Sequence, residues 1–164
     1  MAQHPFNEHI PSLRRYAIAL LRDRNLADDL VQDTLERALK KFSLFRAGSD
    51  LRAWLFTIMH NLFINQTPHT QHWLQNTPPE DIHSGEELAE EMVTARDFMQ
   101  AVQMLSAEQR SIILLIGLEQ LSYEQAAQVL DMPVGTVMSR LARARDRLRQ
   151  LINGEAGPQL RRVK

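Results

Sequence analysis

One run of helix breakers divides this chain and fixes what it can fold into. Between Gln66 and Gly85 fall Pro68, Pro78 and Pro79, followed by Ser84 and Gly85, with no apolar periodicity. Proline withholds a backbone N–H and drives the residue before it out of the helical region. On either side, apolar residues recur three and four apart, and nowhere do they alternate as in a strand. The chain therefore reads as all-α: two small helical domains, 1–66 and 86–164, joined by a flexible linker over 67–85. A length of 164 residues suffices for two such cores, though not for generous ones.

The N-terminal half carries three stripes. Ile10, Leu13, Ala17 and Leu20 share one face of a first helix. Asn25, with Asp28 three residues on, reads as the N-cap of a second helix through Leu26, Leu30, Leu35, Ala38 and Phe42. Ser43–Asp50 reads as a loop, after which Leu51, Trp54, Leu55, Ile58 and Leu62 form a third stripe. In the C-terminal half, Ser84 with Glu87, Ser106 with Gln109 and Ser122 with Gln125 each have the spacing of a capping box. The first opens a helix whose face is Leu88, Met92, Ala95, Met99 and Val102. The second opens one through Ile112, Ile113 and Ile116 that ends near Gly117, and the third a short one through Ala126, Ala127 and Leu130. Pro133 suits the first turn of a final helix running to about Ile152.

The near-neutral total of 19 basic and 20 acidic residues hides an asymmetry. Residues 66–100 hold one basic and seven acidic side chains, whereas 133–164 hold eight basic and two acidic. A cationic end on a neutral chain points to a local contact with a polyanion. No apolar run approaches the roughly 20 residues of a bilayer span. With no cysteine there are no disulfides, thiol catalysis or thiolate zinc sites, and a cytoplasmic protein is expected.

Ser122–Arg149 reads as a capped short helix, a tight turn and a long basic helix, the layout of a helix-turn-helix whose second helix enters the DNA major groove. Small Ala127 suits a close helix crossing. Asp131 occupies the turn where glycine would be easiest, and Asp tolerates a left-handed backbone better than most residues. Val137, Leu141, Ala144, Leu148 and Leu151 form the stripe to be buried. Thr136, Ser139, Arg140 and Arg143 lie together on another face, where guanidinium forks and hydroxyls reach phosphates or guanine edges. Arg145, Arg147 and Arg149 extend a backbone contact or cover the core. A merely solvated basic face is the plainer alternative.

The run LSYEQAAQVLDMPVGTVMSRLARARDRLRQLI resembles the C-terminal DNA-binding domain of extracytoplasmic-function sigma factors, bacterial transcription initiation factors of the sigma-70 family. LADDLVQDTLERALKKF followed by LRAWLFTIMHNLFIN is similar to their N-terminal domain. The two motifs cover most of 10–65 and 97–152, in the family's order. MHNLFIN and MPVGTVMSRLARAR resemble the subgroup that drives general stress responses.

The resemblance implies a protein that binds core RNA polymerase, recognises −35 promoter DNA through Pro133–Arg149 and helps melt −10 DNA, with an anti-sigma factor as inhibitor. It places Asp29, Gln32, Asp33 and Glu36 on the clamp helices of the polymerase; a solvated acidic face is the alternative. It places the loop Phe45–Asp50 on an unstacked −10 base, for which Arg46, Ser49 and Asp50 offer polar edges. An ordinary surface loop is the alternative there. Asn61 and Asn65 match positions near the melted strand, or are plain helix-surface residues. Trp54 fits core packing better than stacking on a base.

Two departures stand out. The family usually follows the NLFIN-like run with several basic residues, but here Gln66–Trp73 has none apart from histidines. Melting contacts at that edge are then expected to be weaker, or to be supplied by Arg46, Arg52 and the pair Arg14 and Arg15. Met138 stands where a lysine is frequent. His69 and His72, three apart with no adjacent Cys or carboxylate, make a poor metal site. No nucleophile–base pair or phosphate-binding glycine loop occurs, so neither catalysis nor a cofactor or metal is expected. Two rivals remain: a sigma-like decoy that sequesters an anti-sigma factor, and a simple helix-turn-helix regulator.

Overall fold

The computed structural model describes residues 4–65 and 89–153. After a 3-10 turn at Asn7–His9, helix α1 (Ile10–Leu21) carries Pro11 in its first turn and buries Leu13, Tyr16, Ala17 and Leu20. It stops at Arg22, whose left-handed backbone (φ 55°) sends its N–H to the Ile18 carbonyl at 2.8 Å. Helix α2 (Arg24–Lys41) is capped by Asp23, which accepts the Leu26 N–H at 2.9 Å. This corrects the expectation of Asn25 as N-cap. The extended backbone of Asp23 (φ −142°, ψ 119°) lets its carboxylate reach an orphan N–H, whereas Asn25 is already inside the first turn.

A 3-10 turn (Phe42–Leu44) and a loop with Gly48 at φ 88° lead to α3 (Leu51–Asn65). Asp50 caps α3 by accepting the Ala53 N–H at 3.0 Å. The buried set of α3 is Ala53, Leu55, Phe56, Ile58, Met59, His60, Leu62 and Phe63, wider than the single stripe read from sequence. A helix that is apolar nearly all round is covered on more than one side. Here α2 packs on α3 from one direction and the C-terminal half from another.

That half contains α4 (Ala89–Met104), α5 (Ala107–Ile113), a widened π turn (Leu114–Leu118), α6 (Tyr123–Leu130) and α7 (Val134–Asn153). Ser106 caps α5 through the Gln109 N–H. Of the expected α4 face, Val102 is buried and Met99 partly so, whereas Ala95 is exposed. The linker and the Ser84–Glu87 cap lie outside the described residues. Among those described there is no strand, and no helix is long and apolar enough to cross a membrane.

The two halves share one continuous cluster of buried apolar residues, with α3 seated on α6 and α1 against the π turn. Polar groups stitch the same seam. Gln103 Nε2 donates to the Ala19 carbonyl at 2.9 Å, and Arg110 Nη1 to that of Leu20 at 3.3 Å, so both cap the open end of α1. Buried Arg110 also donates to the carbonyls of Val102, Gln103 and Leu105 at the end of α4. Its cation thus sits at the negative ends of two helices, while burial pushes its pKa down to about 10.

Candidate functional site

The α6–α7 unit is built by local signals. Ser122 Oγ accepts the Gln125 N–H at 3.0 Å and Gln125 Oε1 accepts the Ser122 N–H at 2.8 Å, a complete capping box. Asp131 adopts the left-handed conformation (φ 52°, ψ 55°) that closes α6, and the Met132 N–H bonds to the Ala127 carbonyl at 3.1 Å. The chain then turns at once into α7, whose buried residues are Val137, Leu141, Ala144, Leu148 and Leu151. The turn is a true break between two helices.

That buried stripe leaves Ser139, Arg140 and Arg143 exposed and Thr136 half-buried on the face expected from spacing. Ser139 donates to the Thr136 carbonyl at 3.1 Å, and Arg140 forms an ion pair with Glu108 of α5. Arg147 is half-buried, which fits a stem lying on the core, and Arg149 pairs with Asp146 at 3.0 Å. The result is a polar, cationic helix face held rigid from behind, able to enter a groove or follow a phosphate backbone.

Asp29, Gln32, Asp33 and Glu36 are all exposed and line one strip of α2. The residues expected at −10 DNA fall into two groups. Arg46, Ser49 and Asp50 stand at the start of α3, whereas Asn61 and Asn65 lie roughly 16 and 22 Å further along it. They cannot share one base; they mark the two ends of a path. Trp54 is half-buried in an aromatic cluster, its ring centre 5.1 Å from Phe45, 6.3 Å from Phe6 and 6.4 Å from Phe42. Packing is its role here.

The start of α3 is engaged by the other half. Gln125 Nε2 of α6 donates to Asp50 Oδ2. Burial pushes the Asp50 carboxyl up, but hydrogen bonds from Ala53 and Gln125 outweigh it and hold the pKa below the usual range. Beside it, Glu119 was not picked out from sequence. Its side chain is 0 % exposed and its Oε1 accepts from Arg15 Nη2 at 2.8 Å and Arg52 Nη2 at 3.1 Å. Arg15 Nε adds a bond to Oε2 at 2.9 Å, and Arg52 Nη2 one to the Glu119 carbonyl at 2.7 Å. A lone carboxylate in an apolar run gives no signal for this, because its partners lie 67 and 104 positions away. Among the described residues no group of three or more His, Cys, Asp or Glu could hold a metal, and His69 and His72 lie outside them.

Comparison with known proteins covers both halves. Residues 6–60 match the family described as the Sigma2 domain of PhyR, and 95–148 match Sigma-70, region 4. The ECF RNA polymerase sigma factor EcfG of Rhodopseudomonas palustris is 37% identical over 154 residues, 87% of this chain and 80% of that protein. The ECF RNA polymerase sigma factor SigC of Mycobacterium tuberculosis is 36% identical over 134 residues, 80% of this chain and 72% of that protein. Among solved structures, the sigma factor RpoE of Bartonella quintana, in complex with the anti-sigma factor NepR, superposes with a TM-score of 0.75. Its identity is 39%, over 90% of this chain and 94% of that one. The anti-anti-sigma factor PhyR of the same organism, complexed with NepR, shares the fold at 20% identity and a TM-score of 0.61, over 90% of this chain and 49% of that one.

Proposed function

The chain belongs to the extracytoplasmic-function RNA polymerase sigma factors, and from that premise we propose how its surfaces divide the work of directing polymerase to promoters. Thr136, Ser139, Arg140 and Arg143 of α7 read the −35 element in the major groove, with Arg147 on the backbone. Asp29, Gln32, Asp33 and Glu36 dock on core RNA polymerase. Arg46, Ser49 and Asp50 at one end of α3, and Asn61 and Asn65 at the other, border the melted −10 strand. The observation that carries this reading is α7 itself, apolar behind and cationic in front, after a capped helix and a left-handed turn. The domains are 1–66 and 86–164, joined through 67–85, and the response served is a general stress response. An anti-sigma factor is the expected inhibitor; the sigma factor RpoE with which this chain superposes is in complex with one, NepR.

The packed arrangement is then a resting form. The two elements lie about 25 base pairs apart by their names, roughly 85 Å at 3.4 Å per base pair. A compact chain of this length has a radius of gyration of about 15 Å. No molecule with α3 seated on α6 reaches both, so transcription requires the halves to part. Run-off transcription with sigma-free core polymerase tests the function. A promoter-specific transcript is expected; none would refute it.

A second reading has one observation in its favour: residues 6–60 match the Sigma2 domain of PhyR, a protein described as an anti-anti-sigma factor. A decoy of that kind would bind an anti-sigma factor and yield no transcript. Solvent-facing Arg140 and Arg143, and the 37% and 39% identities to sigma factors over most of the chain, favour the promoter-directing reading.

A further inference from the structure

The seam between the halves contains an anion site made by one half and filled by the other. Arg15 comes from α1 and Arg52 from α3, and their guanidinium groups converge on a single carboxylate oxygen at 2.8 and 3.1 Å. That oxygen belongs to Glu119, just after the π turn of the C-terminal half. The side chain of Glu119 is 0 % exposed, those of Arg15 and Arg52 53% and 26%. Arg15 is thus open to solvent and Arg52 half-buried, whereas the anion is taken wholly out of water. Arg52 also lies over the Phe56 ring at 5.6 Å, and Arg15 Nη2 is 3.5 Å from Ser12 Oγ, so each fork has support from its own half.

When the halves part, Glu119 leaves with the C-terminal half and the two forks remain on the N-terminal half. A carboxylate and a phosphodiester both offer paired oxygens to a planar guanidinium fork. The chain that follows Asn65 lacks Lys and Arg over 66–73. We propose that Arg15 and Arg52 form a binding site for a backbone phosphate of promoter DNA, and that Glu119 occupies this site in the closed protein as a stand-in for the phosphate. The inference rests on the sigma-factor reading above. It makes closing and DNA binding compete for the same two cations, so opening the molecule exposes the site at the moment it is needed.

The test uses the full chain assembled with core RNA polymerase and a promoter fragment, with binding followed from about 50 to 200 mM salt. Arg15→Ala and Arg52→Ala are each expected to weaken binding and to reduce the slope of log K against log salt by about 0.7–0.9, the loss of one phosphate contact. Arg52→Lys keeps the slope. Glu119→Gln, which discharges the competitor, tightens promoter binding and leaves the slope unchanged. Affinity for core polymerase stays the same in the arginine variants. If the arginines act only as a latch, then Arg15→Ala, Arg52→Ala and Glu119→Gln all tighten binding with unaltered slopes, which overturns the proposal. If Glu119→Gln loses its cooperative melting transition, the slopes of Arg52→Ala and Arg52→Lys decide: different slopes support the site, equal slopes overturn it. Failure of the wild-type complex to bind the promoter removes the sigma-factor reading and the site with it.

Discussion

Helices α3 and α7 are the long helices that carry most of the candidate DNA-facing residues, yet they are covered differently. Helix α3 buries most of its surface, from Ala53 and Phe56 to Leu62 and Phe63, because α2 lies on one side and α6 on another, and leaves only a strip with Asn61, Ile64 and Asn65 exposed. Helix α7 buries one stripe and leaves Ser139, Arg140 and Arg143 to solvent. A helix with one free polar face shows where a ligand arrives. One covered by both halves of its own chain shows where the molecule must come apart before a ligand can arrive. Among the residues proposed to face promoter DNA, Ser139, Arg140 and Arg143 of α7 are exposed, as are Arg46, Ser49, Asn61 and Asn65, whereas Asp50 and Arg52 at the start of α3 are engaged by Gln125 and Glu119.

The comparison breaks first at Phe56. Phe56→Ala is expected to lower stability by about 3–5 kcal/mol in urea melts, since the ring is fully buried against Tyr16 at 5.4 Å. A loss under 1 kcal/mol would mean that this face of α3 is not covered. His60, on the same helix, is expected to make stability depend on pH. Burial lowers its pKa from 6.5 to about 4, so the unfolded chain takes up the proton first as pH falls. Stability from this group is full above pH 6.5 and declines as pH drops toward 4, by roughly 3 kcal/mol in all. Comparing urea melts of wild type and His60→Phe across that range isolates it; equal slopes would contradict the assignment.

For α7 the expected effects move from stability to binding. Arg140→Ala and Arg143→Ala should each weaken −35 duplex binding by about 1–3 kcal/mol with little change in melting temperature. Loss of core-polymerase affinity instead would place the interface elsewhere. Ser122→Ala should cost about 1 kcal/mol of stability through the lost cap. Arg149→Ala should cost under about 0.5 kcal/mol, because its pair with Asp146 is exposed.

What was legible in the sequence was whatever is decided locally. The Ser122–Gln125 box, the left-handed Asp131 and the stripe from Val137 to Leu151 depend on neighbours a few residues away, and spacing reports them. Asn25 misled because Asn and Asp are comparable N-caps, and only the extended backbone at Asp23 decides between them. The second face of α3 was written in Ala53, Phe56, Met59 and Phe63, but a single-stripe reading left it unassigned. Glu119 with Arg15 and Arg52, Gln125 with Asp50, and Arg140 with Glu108 are pairings across the fold, which no spacing rule encodes.

Because the chain has no cysteine, two introduced thiols report one distance. Spin labels at Lys40→Cys on α2 and Gln150→Cys on α7, both exposed, span the seam. A single distance is expected in the free protein, lengthening by tens of ångströms once core polymerase and promoter DNA are bound. An unchanged distance in the transcribing complex would contradict the account.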